Sequence, residues 1–425
     1  MERVVEVRPA RRVVGSLWPP PSKSISQRYF LLALLGRCAV TIERPLVAED
    51  TTHFLTALED LGVGVEWTGQ TLDLRPGPLP NSAELDCGCG GTMLRFLVAA
   101  LTALPGQWTV GGSERLSRRP LGPLISALRA LGATVRCTEV EGFAPLEIEG
   151  GSLSGGRAKV DGRESSQYLS ALLMAAFGAR KETTLEIGGL SSRPYLDLTL
   201  DAIELFGGSV DRSSPDVLRV TPQTLQGGRL TVEGDWSAAA YPAAAAALIG
   251  GRVELAGLDI ASRQGDRRLL DLLGEMGAEI RSVGDTVVVE SDGCLHGLDV
   301  DMSDIPDQVP TIAALAPFAA GTTRIVNVPH LRFKESDRLE AMTTELRRVG
   351  ATVEEQSAGL VIPGIWASLR PPTHPVEVAS HQDHRIAMSM ALLGLRRGGL
   401  SIRDPRVVAK SYPNFWRDLA LVVQD

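Results

Sequence analysis

Cysteine is scarce in this 425-residue chain: Cys38, Cys87, Cys89, Cys137 and Cys294 are the only five, an odd number with no C-x-x-C pair. Such usage gives no disulfide framework and reads as a reduced, cytoplasmic protein. Aromatic residues are only 5 %, and bases do not outnumber acids, 43 Lys+Arg standing against 51 Asp+Glu for a net charge of −8. Nucleic acid needs a phosphate-neutralising surface and often stacking rings, so it is excluded as a partner. Long apolar runs are missing as well. The most hydrophobic stretch, Ala238 to Ile249, carries Tyr241 and Pro242 and is too short to span a bilayer, which argues against a membrane. Met1 to Gly15 alternates valine with charge and has no apolar run before a small-residue cleavage site, so no leader is expected. Asn81, Asn327 and Asn414 all lack Ser or Thr two residues on, so none is a glycosylation acceptor.

What is present is an ordinary globular balance, 44 % apolar and 22 % charged, in a chain long enough for two or three domains. Its dominant feature is repetition. Five times a helical pattern ends in glycine and a β-prone run follows: Gly62, Gly132, Gly207, Gly277 and Gly350, spaced 70, 75, 70 and 73 residues apart. Glycine fits the left-handed position that closes a helix. A sixth such helix, Phe415 to Val423, runs into the C-terminus. A second helix series interleaves with the first, opened by small or polar residues around Ser24, Thr92, Gln167, Ser237, Gln308 and His384. One unit is therefore helix, strand, helix and further strands, used six times. Units this large predict α/β globules rather than a rod, and the break near Gly234-Asp235 divides them three and three.

The ionisable residues gather at the second series. Ser22-Lys23-Ser24 with Arg28, Gly91-Thr92 with Arg95, Ser165-Ser166-Gln167 and Asp383-His384-Arg385 all open helices. A helix N-terminus offers unpaired N–H groups and a positive dipole end, a ready site for phosphate or carboxylate. The same residues serve equally as simple N-caps, and the sequence leaves both readings open. Arg115 to Pro120, Lys334 to Arg338 and Ala409 to Pro413 add charges before further helices. Other motifs fail. Ser22-Lys23-Ser24 lacks the glycines of a nucleotide P-loop, and Gly88-Cys89-Gly90 has Met93 where a dinucleotide fingerprint needs glycine. No Cys or Glu completes a metal set around His381 and His384.

These stretches in order resemble the EPSP synthase family along nearly the whole chain. The matching residues are Pro21 to Arg28, Gly90 to Arg95, Arg119-Pro120, Asp161 to Gln167, Ser192 to Tyr195, Ile305 to Asp307, Lys334 to Arg338, Asp383 to Arg385 and Lys410. The resemblance implies an α/β fold of two similar lobes, each of three βαβαββ units, joined by a two-strand hinge. It implies an N-terminal lobe at 21–234, a C-terminal lobe of 1–20 plus 235–425, and an active site in the cleft between them. The implied reaction joins phosphoenolpyruvate to shikimate 3-phosphate with release of phosphate, without metal or organic cofactor.

By the same resemblance Lys23 lies between both substrates. Ser24, Arg28, Ser165, Ser166, Gln167, Ser192, Tyr195, Asp307 and Lys334 hold shikimate 3-phosphate. Gly91, Arg119, Gln167, Arg338, Arg385 and Lys410 hold phosphoenolpyruvate. Asp307 is the implied base and Glu335 its acid/base partner, helped by Lys23. The chain departs from the family pattern at Cys89, where many members carry Asn, and at Phe96, His330 and Leu331. Two alternatives stand beside this reading. The sister activity on UDP-N-acetylglucosamine shares fold and donor, but usually places a reactive cysteine in the loop matching Arg115 to Pro120, where this chain has none. A non-catalytic anion-binding scaffold gains nothing from carboxylates such as Asp307 and Glu335. A monomer is expected, since no repeat face is spare and hydrophobic.

Overall fold

Six short sheets follow one plan in the computed structural model, which describes residues 4–365 and 375–424. One copy runs Ser82–Asp86, helix Gly91–Ala103, Gln107–Gly111, helix Gly122–Ala130, Thr134–Cys137 and Leu146–Glu149, in the order βαβαββ. Its first two strands are parallel and the others join antiparallel. Parallel neighbours need a crossover, and the buried helix supplies it. The sheets containing Gly156–Gly162 and Asp299–Asp301 repeat this register.

Two copies borrow their opening strand from a distant part of the chain. Arg229–Thr231 lies parallel to Val40–Glu43, and Arg12–Leu17 lies parallel to Gly251–Ala256. Among the described residues the last copy has three strands: Val376–Ala379, Leu400–Arg403 and, antiparallel to the latter, Val4–Val7. Its second helix, Phe415–Val422, runs directly into Val423–Gln424, which pairs with Arg12 and Val13.

The chain divides into two compact units, Pro21–Glu233 and Met1–Pro20 with Gly234–Asp425, each holding three of the sheets. Each has its own apolar core. In the first unit the crossover helices Lys23–Gly36, Gly91–Ala103 and Gln167–Ala175 fill that core; in the second Trp236–Ile249, Val309–Leu315 and His384–Arg397 do so. Their sequences are apolar nearly all round, as full burial requires. The Ala238 to Ile249 run is thus a core helix, and among the described residues no helix is long and apolar enough to cross a membrane.

The five repeat glycines all have positive φ, from 71° at Gly207 to 116° at Gly277. Each follows the second helix of its copy and turns the chain back towards a strand. A Cβ is disfavoured in that region, which is why the position repeats as glycine.

Candidate active site

In the Pro21–Glu233 unit the three core helices begin at Lys23, Gly91 and Gln167. Ser22 and Ser166 make no side-chain cap bond, so side-chain capping does not account for these two serines. Lys23 Nζ lies 3.0 Å from Asp50 Oδ2, both side chains being largely buried. Asp50 sits in the first turn of helix Glu49–Asp60, where the helix dipole favours a carboxylate.

Arg28 is 1 % exposed and ties several elements together. Its Nε donates to Thr199 Oγ1 at 2.9 Å, Nη1 to the Ser24 carbonyl at 2.7 Å and Nη2 to the Tyr195 carbonyl at 2.7 Å. Burial lowers its pKa to about 10 against the opposing effect of Tyr195, so it stays cationic at neutral pH. Thr199 extends the chain of bonds to Ser170 at 2.8 Å, on the helix that opens with Gln167. Ser192 adopts a left-handed conformation, φ 54°, immediately before helix Arg193–Leu205, and its carbonyl accepts from the Tyr195 N–H. Ser165, Ser166 and Ser192 are buried.

Gln167 is clamped at both ends of its amide. Arg95 Nη1 donates to its Oε1 at 2.6 Å, and its Nε2 donates to Thr92 Oγ1 at 2.8 Å. The Arg95 guanidinium stacks 5.2 Å over the Tyr168 ring, whose hydroxyl donates to the Pro120 carbonyl at 2.6 Å. These bonds fix the loop that carries Arg119. A Cβ on Gly91 would fall 2.2 Å from Arg119 Nη1, so the guanidinium lies directly against the glycine. Cys89, exposed, faces Ser113 Oγ at 3.2 Å.

The unit containing residues 234–425 carries a second constellation of alternating charge. Arg338, 1 % exposed, donates from Nη1 to Asp307 at 2.7 Å, from Nη2 to Glu335 at 2.9 Å and from Nε to Asp383 at 2.7 Å. Arg385 Nη2 donates to the other Asp307 oxygen at 2.9 Å, and Lys410 Nζ reaches Glu335 Oε1 at 3.1 Å. Asp383 is fully buried, caps helix His384–Arg397 through the Arg385 N–H and also accepts from Ser336 Oγ. Burial pushes Asp307 up, but Arg385, Arg338 and Lys334 outweigh it and hold its carboxyl well below the usual range. Burial likewise works against the Arg338 charge, yet Asp383, Glu335 and Asp307 raise its pKa.

Behind Asp307 lies Asp266, buried, accepting from Ser237 Oγ and from Gln308 Nε2. Burial pushes it up to about 6, against the pull of Arg385. His330, also buried, has no partner at Nε2, and burial followed by the charge of Lys334 pushes it down to about 3. A histidine whose folded pKa is depressed costs nothing above its unfolded value of 6.5 and costs stability as pH falls below it. His330→Leu should therefore gain on the parent by about 1.4 kcal/mol per pH unit between pH 6 and 4. Urea unfolding at several pH values measures this, and parallel stability curves would refute it.

The structure brings Lys23, Ser24, Arg28, Tyr195 and Ser192 onto neighbouring elements of one unit, with Gly91, Arg119, Ser165, Ser166 and Gln167 on a second linked set. Asp307, Lys334, Glu335, Arg338, Arg385 and Lys410 gather in the other unit. The charged run Lys334 to Arg338 is half-buried, with Arg338 wholly inside. Asp307 is no cap; both its oxygens go to arginines. Sequence reasoning missed Asp50, Asp266 and the anchoring roles of Arg95 and Asp383. Arg95 at four residues from Gly91 was the one available signal, since that spacing puts it on the helix's opening face.

A profile described as EPSP synthase (3-phosphoshikimate 1-carboxyvinyltransferase) matches residues 7–419. The chain belongs to the EPSP synthase family. Curated proteins named 3-phosphoshikimate 1-carboxyvinyltransferase are similar to it from end to end. That of Syntrophobacter fumaroxidans is 44 % identical over 415 residues, covering 96 % of this chain and 97 % of its own. That of Methanoculleus marisnigri is 42 % identical over 422 residues, with 98 % of each covered. Among solved structures, the EPSP synthase of Acinetobacter baumannii matches with TM-score 0.81 at 26 % identity, covering 99 % of this chain and 98 % of that one. The enolpyruvyl transferase NikO of Streptomyces tendae shares the fold at TM-score 0.80 and 19 % identity.

Proposed function

We propose that this EPSP synthase family member transfers the carboxyvinyl group of phosphoenolpyruvate to the 5-hydroxyl of shikimate 3-phosphate, in the pathway to the aromatic amino acids. The observation that carries the reading is Asp307 and Glu335 held among Arg338, Arg385 and Lys410, within a chain whose full-length relatives bear that activity's name. A protein that only bound anions would be weakened by these carboxylates. The residues proposed for the acceptor are Lys23, Ser24, Arg28, Ser165, Ser166, Gln167, Ser192, Tyr195, Asp307 and Lys334, and those for the donor Lys23, Gly91, Arg119, Gln167, Arg338, Arg385 and Lys410. Each chain carries the whole set, so a monomer suffices, and five free thiols suit a reducing cytoplasm.

The acceptor oxygen bonds to C2 of phosphoenolpyruvate while its proton passes to Asp307 and the methylene carbon gains a proton from Glu335 or Lys23. The tetrahedral intermediate then loses a proton from the new methyl group and expels phosphate, restoring the double bond. Arginine forks and lysines take up the charge on the departing phosphate.

A carboxylate held well below its usual pKa is a weak base, and Asp307 becomes a stronger one when its arginines turn to another anion. The donor's own carboxylate is that anion. By accepting from Arg338 and Arg385 it takes the place of Asp307 and frees it for the acceptor hydroxyl.

The test is phosphate release from purified protein with phosphoenolpyruvate and EDTA, comparing shikimate 3-phosphate with UDP-N-acetylglucosamine. Release with shikimate 3-phosphate alone is expected. Release with the nucleotide sugar alone would transfer the chain to the sister activity, and none with either would leave an anion-binding scaffold.

A further inference from the structure

The turn that delivers Asp383 and Arg385 is made of residues poorly suited to it. His381 and Gln382 are consecutive, neither is glycine, and both are left-handed, with φ of 52° and 54°. A side chain disfavours that region, and two in succession persist only where the surroundings over-determine them. Two holds are local. Ser380 Oγ accepts from the Gln382 N–H at 3.3 Å, and the Ser380 carbonyl accepts from the Asp383 N–H at 2.9 Å.

The third hold comes from another element. His381 Nε2 lies 2.7 Å from Oε1 of Glu345, whose side chain is fully buried. The other Glu345 oxygen meets Arg348 Nε at 3.0 Å. Glu345 stands on helix Arg338–Arg348, two turns beyond Arg338 and on the same face. Arg338 grips Asp383, and Glu345 grips His381. One helix thus fastens the turn on both sides of Gln382.

We infer that the Glu345–His381 pair is a positioning device for Arg385, holding the left-handed turn so that the guanidinium meets Asp307 and, after it, the donor carboxylate. Neither residue belongs to the set proposed to hold the substrates. Naming the donor rests on the proposed function; the hold on the turn does not. Glu345 fixes a side chain that fixes a backbone, and that backbone begins the helix whose second residue is Arg385.

His381→Ala and His381→Gly separate the two explanations of this histidine. Glycine relieves the left-handed conformation but removes the tether; alanine removes the tether and keeps the strain. Both variants should raise the KM for phosphoenolpyruvate about tenfold or more, with kcat within about threefold, since a misplaced guanidinium weakens ground-state binding. Glu345→Gln keeps an acceptor for the imidazole N–H and should fall between the parent and His381→Ala.

An activity-independent reading comes from hydrogen–deuterium exchange, which in both His381 variants should quicken for peptides spanning residues 380–386 and not elsewhere. Unchanged exchange would overturn the tether. A His381→Gly enzyme with the parent's KM would show that backbone preference alone matters, and would overturn it too. Faster exchange with an unchanged KM would break the link to Arg385. Faster exchange in a protein whose parent form never turns over phosphoenolpyruvate would sustain the tether and defeat the functional reading instead.

Discussion

Replacing Asp307 by asparagine should cut turnover by about 10²–10⁴-fold, the range that a positioned general base supplies, while tightening phosphoenolpyruvate binding. The second half is the unusual one. Arg338 and Arg385 both spend a guanidinium nitrogen on the Asp307 carboxylate, at 2.7 and 2.9 Å. An incoming carboxylate has to compete with it, and asparagine removes the competitor's charge while keeping its shape. The gain should be roughly three- to tenfold in Kd, the scale of one partly exposed ion pair. Isothermal titration of phosphoenolpyruvate into the variant reads the affinity, and phosphate release reads the turnover. Weaker binding would mean that Asp307 organises the arginines rather than masking them, and near-normal turnover would remove it from proton transfer.

Asp383 is the control within the same cluster. It is fully buried, caps a helix and accepts from Arg338, Ser336 and the Arg385 N–H. Two of the three carboxylates on Arg338 therefore do different work. Asp307 keeps about a fifth of its side chain exposed and can exchange its partners for a ligand's. Asp383 has no such access and stays an anchor.

This distinction marks what could and could not be read from sequence. The repeat was legible because each copy carries its own local signal: a helix pattern, then a glycine that the left-handed closing position requires, then a β-branched residue. All five glycines sit at that turn. The borrowed strands were less legible in residue terms, because Arg229–Thr231 and Arg12–Leu17 find their partners almost 190 and 240 residues away. Pairing at that distance leaves no local pattern. Lys23, Arg338 and Arg385 were visible as cations in an acidic chain, and Asp307 and Glu335 through the family resemblance, but the carboxylates that anchor them, Asp50, Asp266 and Asp383, were not legible in that role. Asp50 reads as one of two acids in a first turn, Asp266 as one charge in a polar loop, and Asp383 as a cap. Only the folded chain separates a solvated acid from one that faces a buried arginine.

Gly91→Ala should raise the KM for phosphoenolpyruvate by about 10²-fold while leaving the protein as stable as its parent, or slightly more so. Gly91 opens helix Gly91–Ala103 and is buried. It has no positive φ, so the backbone accepts alanine, and a helix gains up to about 1 kcal/mol when alanine replaces glycine. The obstacle is Arg119, whose Nη1 and Cζ would stand 2.2 and 2.5 Å from the new Cβ. The far end of a long side chain moves more cheaply than a helix, so the guanidinium is what gives way. That shift is expected to weaken the proposed contact of Arg119 with the donor, while the helix gain offsets what the buried guanidinium gives up. Thermal unfolding should thus stay level or rise while donor affinity falls. Equal loss of both would place Gly91 in the core's packing instead, and an unchanged KM would mean that Arg119 does not hold phosphoenolpyruvate.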